Sequence, residues 1–112
     1  SEEPPVAVPE QIVNVAVKLK ANVYFDGKVV SHSLVFPEGQ RKTVGVIYPG
    51  KYHFKTDGPE KMEILAGRCR VKVADEKTER TVSAGESFRV PGQSAFDIAV
   101  DENLAEYLCS FE

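Results

Sequence analysis

The chain has 112 residues, 42% of them hydrophobic and 28% charged, and a net charge of −3. Those values describe one ordinary globular domain with room for a modest core. They exclude the field that would draw in nucleic acid, and no apolar run is long enough to span a bilayer, so neither partner is expected.

Ser1 to Glu10 is acidic and proline-rich, and reads as a flexible N-terminal arm ahead of a single domain at 11–112. It has no basic n-region and no apolar h-region, so no signal peptide is expected. Val13, Val15, Val17 and Leu19 alternate with Asn14, Ala16, Lys18 and Lys20, the period of a strand. Asn22 to Phe25 and Lys28 to Val30 flank Asp26-Gly27, which predicts a hairpin with a type I′ turn. Val29 to Phe36 extends the second arm as far as Pro37-Glu38-Gly39. Thr43 to Tyr48 and Lys51 to Lys55 then stand either side of Pro49-Gly50, the pair a type II turn favours. Glu60 to Ala66 and Arg68 to Val73 flank Gly67, and Thr78 to Val82, Glu86 to Val90, Ala95 to Val100 and Leu104 to Phe111 follow. Closely spaced turn signals without a sustained 3.6-residue period predict an all-β sandwich or barrel, essentially free of helix.

Alternation also predicts which side chains face inward. Cys69, Val71 and Val73 share a face opposite Arg68, Arg70 and Lys72, and Met62, Ile64 and Ala66 share one with Glu60. Phe88 pairs with Val90, and Phe96 with Ile98 and Val100. Cys69 and Cys109, each in an apolar strand pattern, read as buried thiols in a reducing cytoplasm. Lys51 to Lys55 is ambiguous, because Tyr52 and Phe54 form the apolar set while Lys51 and His53 occupy the other phase.

Gly45 to Gly67, with a Glu ahead of the closing glycine, and Gly85 to Phe96, with its Pro91-Gly92, resemble the paired motifs of a cupin, a jelly-roll type antiparallel barrel. The histidines of a metal cupin are largely missing. Its His-x-His falls on Lys51-Tyr52-His53, its Glu on Glu60 and its late His on Phe96. One His and one Glu are too few for a metal that needs three or four ligands, so no metal is expected. Glu60 reads either as an inward carboxylate or as a solvated strand-start residue paired with Lys61 or Lys51. Arg41-Lys42 with Thr43 reads either as an oxyanion clamp or as solubilising charge. From the residues alone, the chain is a small-molecule-binding β-barrel without a metal.

Further matches run from Asn14 to Phe111: K-A-N-V-Y-F-D-G-K-V at Lys20 to Val29, R-K-T-V-G-V at Arg41 to Val46 and P-G-K-Y at Pro49 to Tyr52. P-E-K-M-E-I-L-A-G at Pro59 to Gly67, A-G-E-S-F-R-V-P at Ala84 to Pro91 and Y-L-C-S-F at Tyr107 to Phe111 follow in order. In this order the chain resembles the pyrimidine/purine nucleoside phosphorylase family of small cupin-like proteins. The resemblance implies phosphorolysis of purine and pyrimidine nucleosides to free base and pentose 1-phosphate, with phosphate as co-substrate and no cofactor. Within that reaction, residue type and facing suit Arg41, Lys42, Thr43 or Lys51 to phosphate and Glu60 to the oxocarbenium ion. Tyr24, Phe96 and Tyr107 suit the base. Lys51 and His53 depart from the family pattern at positions that would touch substrate if they lined the pocket. A homodimer is expected, since small barrels bury exposed edges across a two-fold axis. A metal-dependent cupin enzyme and a non-catalytic binding barrel acting as sensor or carrier are the alternatives.

Overall fold

The computed structural model describes residues 3–112, and among them eleven strands. They are β1 (Ala16–Val17), β2 (Asn22–Tyr24), β3 (Val29–Val35), β4 (Arg41–Ile47), β5 (Gly50–Thr56) and β6 (Glu60–Ala66). After these come β7 (Arg68–Val73), β8 (Arg80–Ser83), β9 (Ser87–Val90), β10 (Ser94–Val100) and β11 (Ala105–Phe111). A single 3₁₀ turn at Phe25–Gly27 is the helical content of the described residues. The fold is all-β and cupin-like. Its larger sheet runs β1-β3-β4-β11-β6-β9, with β2 also on β3, and its smaller sheet runs β5-β10-β7-β8. All pairings are antiparallel.

The inner faces of the two sheets supply the core. Ile47, Ile64, Val71, Val90 and Ile98 are almost completely buried, each worth about 1.5–3 kcal/mol on transfer from water. The inward phases predicted for β6, β7, β9 and β10 all hold. On β5 the apolar set wins: Tyr52 and Thr56 are buried and Phe54 is half-buried, whereas Lys51 and His53 are exposed.

Three expectations need correction. The strand expected from Val13 shrinks to Ala16–Val17, because Asn14 takes a left-handed backbone (φ 61°) and Val13, Val17 and Leu19 stay exposed. The β2–β3 hairpin forms, but its loop is four residues long. Phe25, Asp26 and Gly27 all adopt positive φ. The strain at Phe25 is offset by its ring, which packs 5.0 Å from Tyr52 and 5.4 Å from Phe54. Pro49-Gly50 does not join paired strands. There the chain leaves the larger sheet for the smaller, since β4 pairs with β3 and β11 while β5 pairs with β10. Gly67 makes the second such crossing, and a Cβ on its φ +75° backbone would overlap the Leu104 carbonyl oxygen.

Among the described residues, the N-terminal segment forms no strand or helix before β1 and is tied to the domain. The Val6 N–H donates to Gly85 O at 2.8 Å, and the Glu3 carboxylate pairs with Lys61 and Arg89. Ser1 and Glu2, the start of the expected arm, lie outside the described residues.

Candidate active site

Strand β11 is the floor of a cavity of about 180 Å³ between the sheets. Period-two alternation aims Tyr107, Cys109 and Phe111 into it. Register then fixes the walls: Cys109 stands opposite Thr43 of β4 on one side and Met62 of β6 on the other, and Phe111 stands opposite Glu60. Phe54 and Phe96 close the cavity from the smaller sheet, and Tyr24 reaches in from β2. Gly45 lies between Ser31 and Tyr107 in the ladder, and a Cβ there would stand 2.7 Å from the Ser31 Cβ. Glycine lets β3 and β4 close up at this point.

Phe54 is the hub of an aromatic wall. Its ring stacks on Phe96 at 5.6 Å and meets Tyr24 edge-on at 5.8 Å, and Phe88 packs behind Phe96 at 5.6 Å. Such a wall offers π faces and few polar edges, so it suits a flat ring without reading the ring's edge.

Glu60 is the carboxylate of this cavity. It is half-buried, and the Cys109 thiol donates to its Oε1 at 3.5 Å. Burial pushes the Glu60 carboxyl above the ordinary glutamate range; the Cys109 bond pulls it back and the charge of Asp57 pushes it further up. Burial also raises the Tyr107 phenol to about 12 and lifts the Cys109 thiol well above its usual value. Near neutral pH, Tyr107 and Cys109 are therefore neutral donors, while burial shifts Glu60 toward its protonated form.

The structure brings Glu60, Thr43, Tyr24, Phe96 and Tyr107 together in one cavity and keeps the other sequence candidates apart from it. Arg41 begins β4 in the same phase as Thr43 and stays exposed, outside the cavity lining. Lys42 takes the opposite phase, its ammonium 5.2 Å above the Phe36 ring. Lys51 and His53 lie on the outer face of the smaller sheet, where His53 Nδ1 is 2.8 Å from Asp97 Oδ1. The cavity also includes Phe54, Lys55, Ser31, Cys109 and Phe111. Cys109 was legible as a buried thiol and Phe54 as part of the apolar set of a strand whose facing the sequence left open, but nothing in the sequence singled out Lys55. Among the described residues, no three of His, Cys, Asp and Glu come together where they could share a metal. The donors do not fit the ligand set of a metal cupin.

The sequence profile of the pyrimidine/purine nucleoside phosphorylase family matches residues 19–111. The chain belongs to that family. A pyrimidine/purine nucleoside phosphorylase of Methylobacillus flagellatus is 56% identical over 102 residues, covering 91% of this chain and 98% of the relative. One of Burkholderia ambifaria is 57% identical over 101 residues, 90% of this chain and 94% of the relative. Among solved structures, a protein of unknown function from Acinetobacter sp. ADP1 superposes with a TM-score of 0.88 at 46% identity, over 91% of this chain and 98% of its own. Bacillus subtilis oxalate decarboxylase, a protein with Mn(II) centres, matches at 19% identity with a TM-score of 0.71, over 97% of this chain and 32% of its own. That likeness shows the cupin fold alone.

Proposed function

We propose that the chain splits purine and pyrimidine nucleosides with inorganic phosphate, releasing the free base and a pentose 1-phosphate. The observation that carries this reading is the half-buried Glu60 carboxylate facing an aromatic slot in one small cavity. As the glycosidic bond lengthens, positive charge develops on the pentose, and a carboxylate shielded from water stabilises it far better than one in solvent. The base leaves against Phe54 and Phe96. Stacking is blind to the pattern of ring nitrogens, which accounts for a broad range of bases. Tyr107, protonated at neutral pH, supplies a hydrogen bond to base or pentose.

Phosphate enters from the rim. Lys55 is the cation of the cavity lining, Thr43 belongs to the same lining, and Arg41 stands at the start of the Thr43 strand. Arg41 brings a planar fork that matches an oxyanion, and Lys55 brings a point charge. The pentosyl transfer uses no metal in this reading, in keeping with a donor set that offers Glu60 and Cys109 but no histidine in the cavity. Free, buried Cys69 and Cys109 fit a cytoplasmic setting. Exposed Val17, Leu19 and Val23 on the β1–β2 side favour a homodimer, which a solution scattering mass checks.

The test is a nucleoside panel incubated with and without phosphate, with free base measured. Phosphate-dependent release from both purine and pyrimidine nucleosides supports the proposal. Release that ignores phosphate means hydrolysis, and binding without release means a carrier or sensor. Stoichiometric iron, manganese or zinc required for activity would return a metal enzyme to favour.

A further inference from the structure

Cys109 has no part in the chemistry above, yet it is the hydrogen-bond partner of the group that does. Its side chain is 4% exposed, on the central floor strand, and the Thr43 hydroxyl lies against the same sulfur that donates to Glu60. The three side chains thus form a row across β4, β11 and β6, from Thr43 through the Cys109 sulfur to Glu60 Oε1. Among the described residues Glu60 Oε2 has no hydrogen-bond partner, so it is the oxygen open to a ligand.

We propose that Cys109 is a positioning residue: its thiol, backed by Thr43, fixes Glu60 through Oε1 and leaves Oε2 for the pentose. A thiol suits this task for a physical reason. It is a weak donor, so it orients the carboxylate without quenching the charge that the transition state needs. Buried beside an anion it also stays S–H, and never becomes a second negative charge in the cavity. The other charged or titratable groups around Glu60 are few. They are Asp57 in the preceding turn, Tyr107 on β11 and Lys55 on β5; the β9 residue opposite, Val90, is apolar.

This role rests on the phosphorolysis reading, but its test does not need turnover. Infrared spectra of the full chain can follow the Cys109 S–H stretch and the Glu60 carboxyl band through a pH titration. Cys109→Ala and Glu60→Gln serve to assign the two bands. The S–H band should shift as Glu60 ionises, and lose that shift in Glu60→Gln. In Cys109→Ala, Glu60 should titrate about half a pH unit higher, the size expected when one weak donor is lost. Cys109→Ser, which keeps a donor in nearly the same volume, should bring the midpoint back. The acid limb of kcat/KM should move by the same amount in Cys109→Ala, about threefold at a fixed acid pH, with the KM for phosphate unchanged. A Glu60 midpoint that is the same in the Ala and Ser variants, with an S–H band indifferent to pH, would overturn the proposal. Because the spectra need no substrate, they separate a failure of this hydrogen bond from a failure of phosphorolysis.

Discussion

The outer face of the smaller sheet and the cavity between the sheets both hold charged side chains and put them to different use. Outside, His53 meets Asp97, while Arg70 holds Glu79 at 2.8 Å and Asp101 at 2.9 Å. These groups are wet and paired. The Arg70 guanidinium holds the Asp101 carboxyl below its usual range, which keeps it charged and satisfied at any ordinary pH. Inside, across one layer of backbone, the cavity presents one half-buried carboxylate whose single hydrogen bond comes from a thiol. His53, Lys51, Arg70 and Lys72 all lie on the outer side, away from the cavity. What distinguishes the faces is water, since the same unit charge interacts several times more strongly where solvent is excluded.

The sharpest way to break this contrast is to neutralise the inner carboxylate. Glu60→Gln keeps the shape and can still accept from Cys109, but steady-state kinetics should show kcat lowered about 100-fold or more, the scale of losing a preorganised electrostatic group. The rim cations come next. Arg41→Ala should raise the KM for phosphate or lower turnover roughly tenfold, since a hydrogen bond to a charged group is worth about 1.5–3 kcal/mol. Lys55→Ala should cost less, about three- to tenfold, as a point charge without a fork.

Glu60 also sharpens the comparison through stability. Its folded pKa is raised, so the folded state favours the protonated form. The stabilisation is fully present below the unfolded pKa and is lost as pH rises through the folded value. Glu60→Gln should therefore melt higher than the parent at pH 7–8 and equal it in acid. Because the group is half-exposed, screening limits the gain to about half a kcal/mol, or roughly 2–4 °C by thermal melt. The smallest effects belong to the outer face, where His53→Ala and Arg70→Ala should each leave kcat and KM within about twofold.

Much of the inner face was legible because period-two alternation is set locally. The phases of Met62 and Ile64, of Val71 and Val73, and of Phe96 and Ile98 follow from sequence, and so does the place of Glu60 ahead of Gly67. Sheet membership was not legible. Pro49-Gly50 looks like a hairpin turn, yet β5 finds its partner in β10, more than forty residues along the chain. The left-handed Phe25 was hidden for a related reason, since its ring is held by Tyr52 and Phe54 on a strand of the other sheet. Lys51 and Lys55 show the same limit in the site. Both are outward-phase lysines of β5, and only the way the rim closes gives the cavity to Lys55 and leaves Lys51 in solvent.

The central claim is that the inner cavity transfers a pentose from base to phosphate. Phosphorus NMR of a chelator-treated reaction with a purine nucleoside, and then a pyrimidine nucleoside, tests it most directly. The account predicts a pentose 1-phosphate resonance growing in step with free base in both reactions, absent with Glu60→Gln on the same timescale. Free base accompanied by free pentose, with the inorganic phosphate signal unchanged, would contradict it.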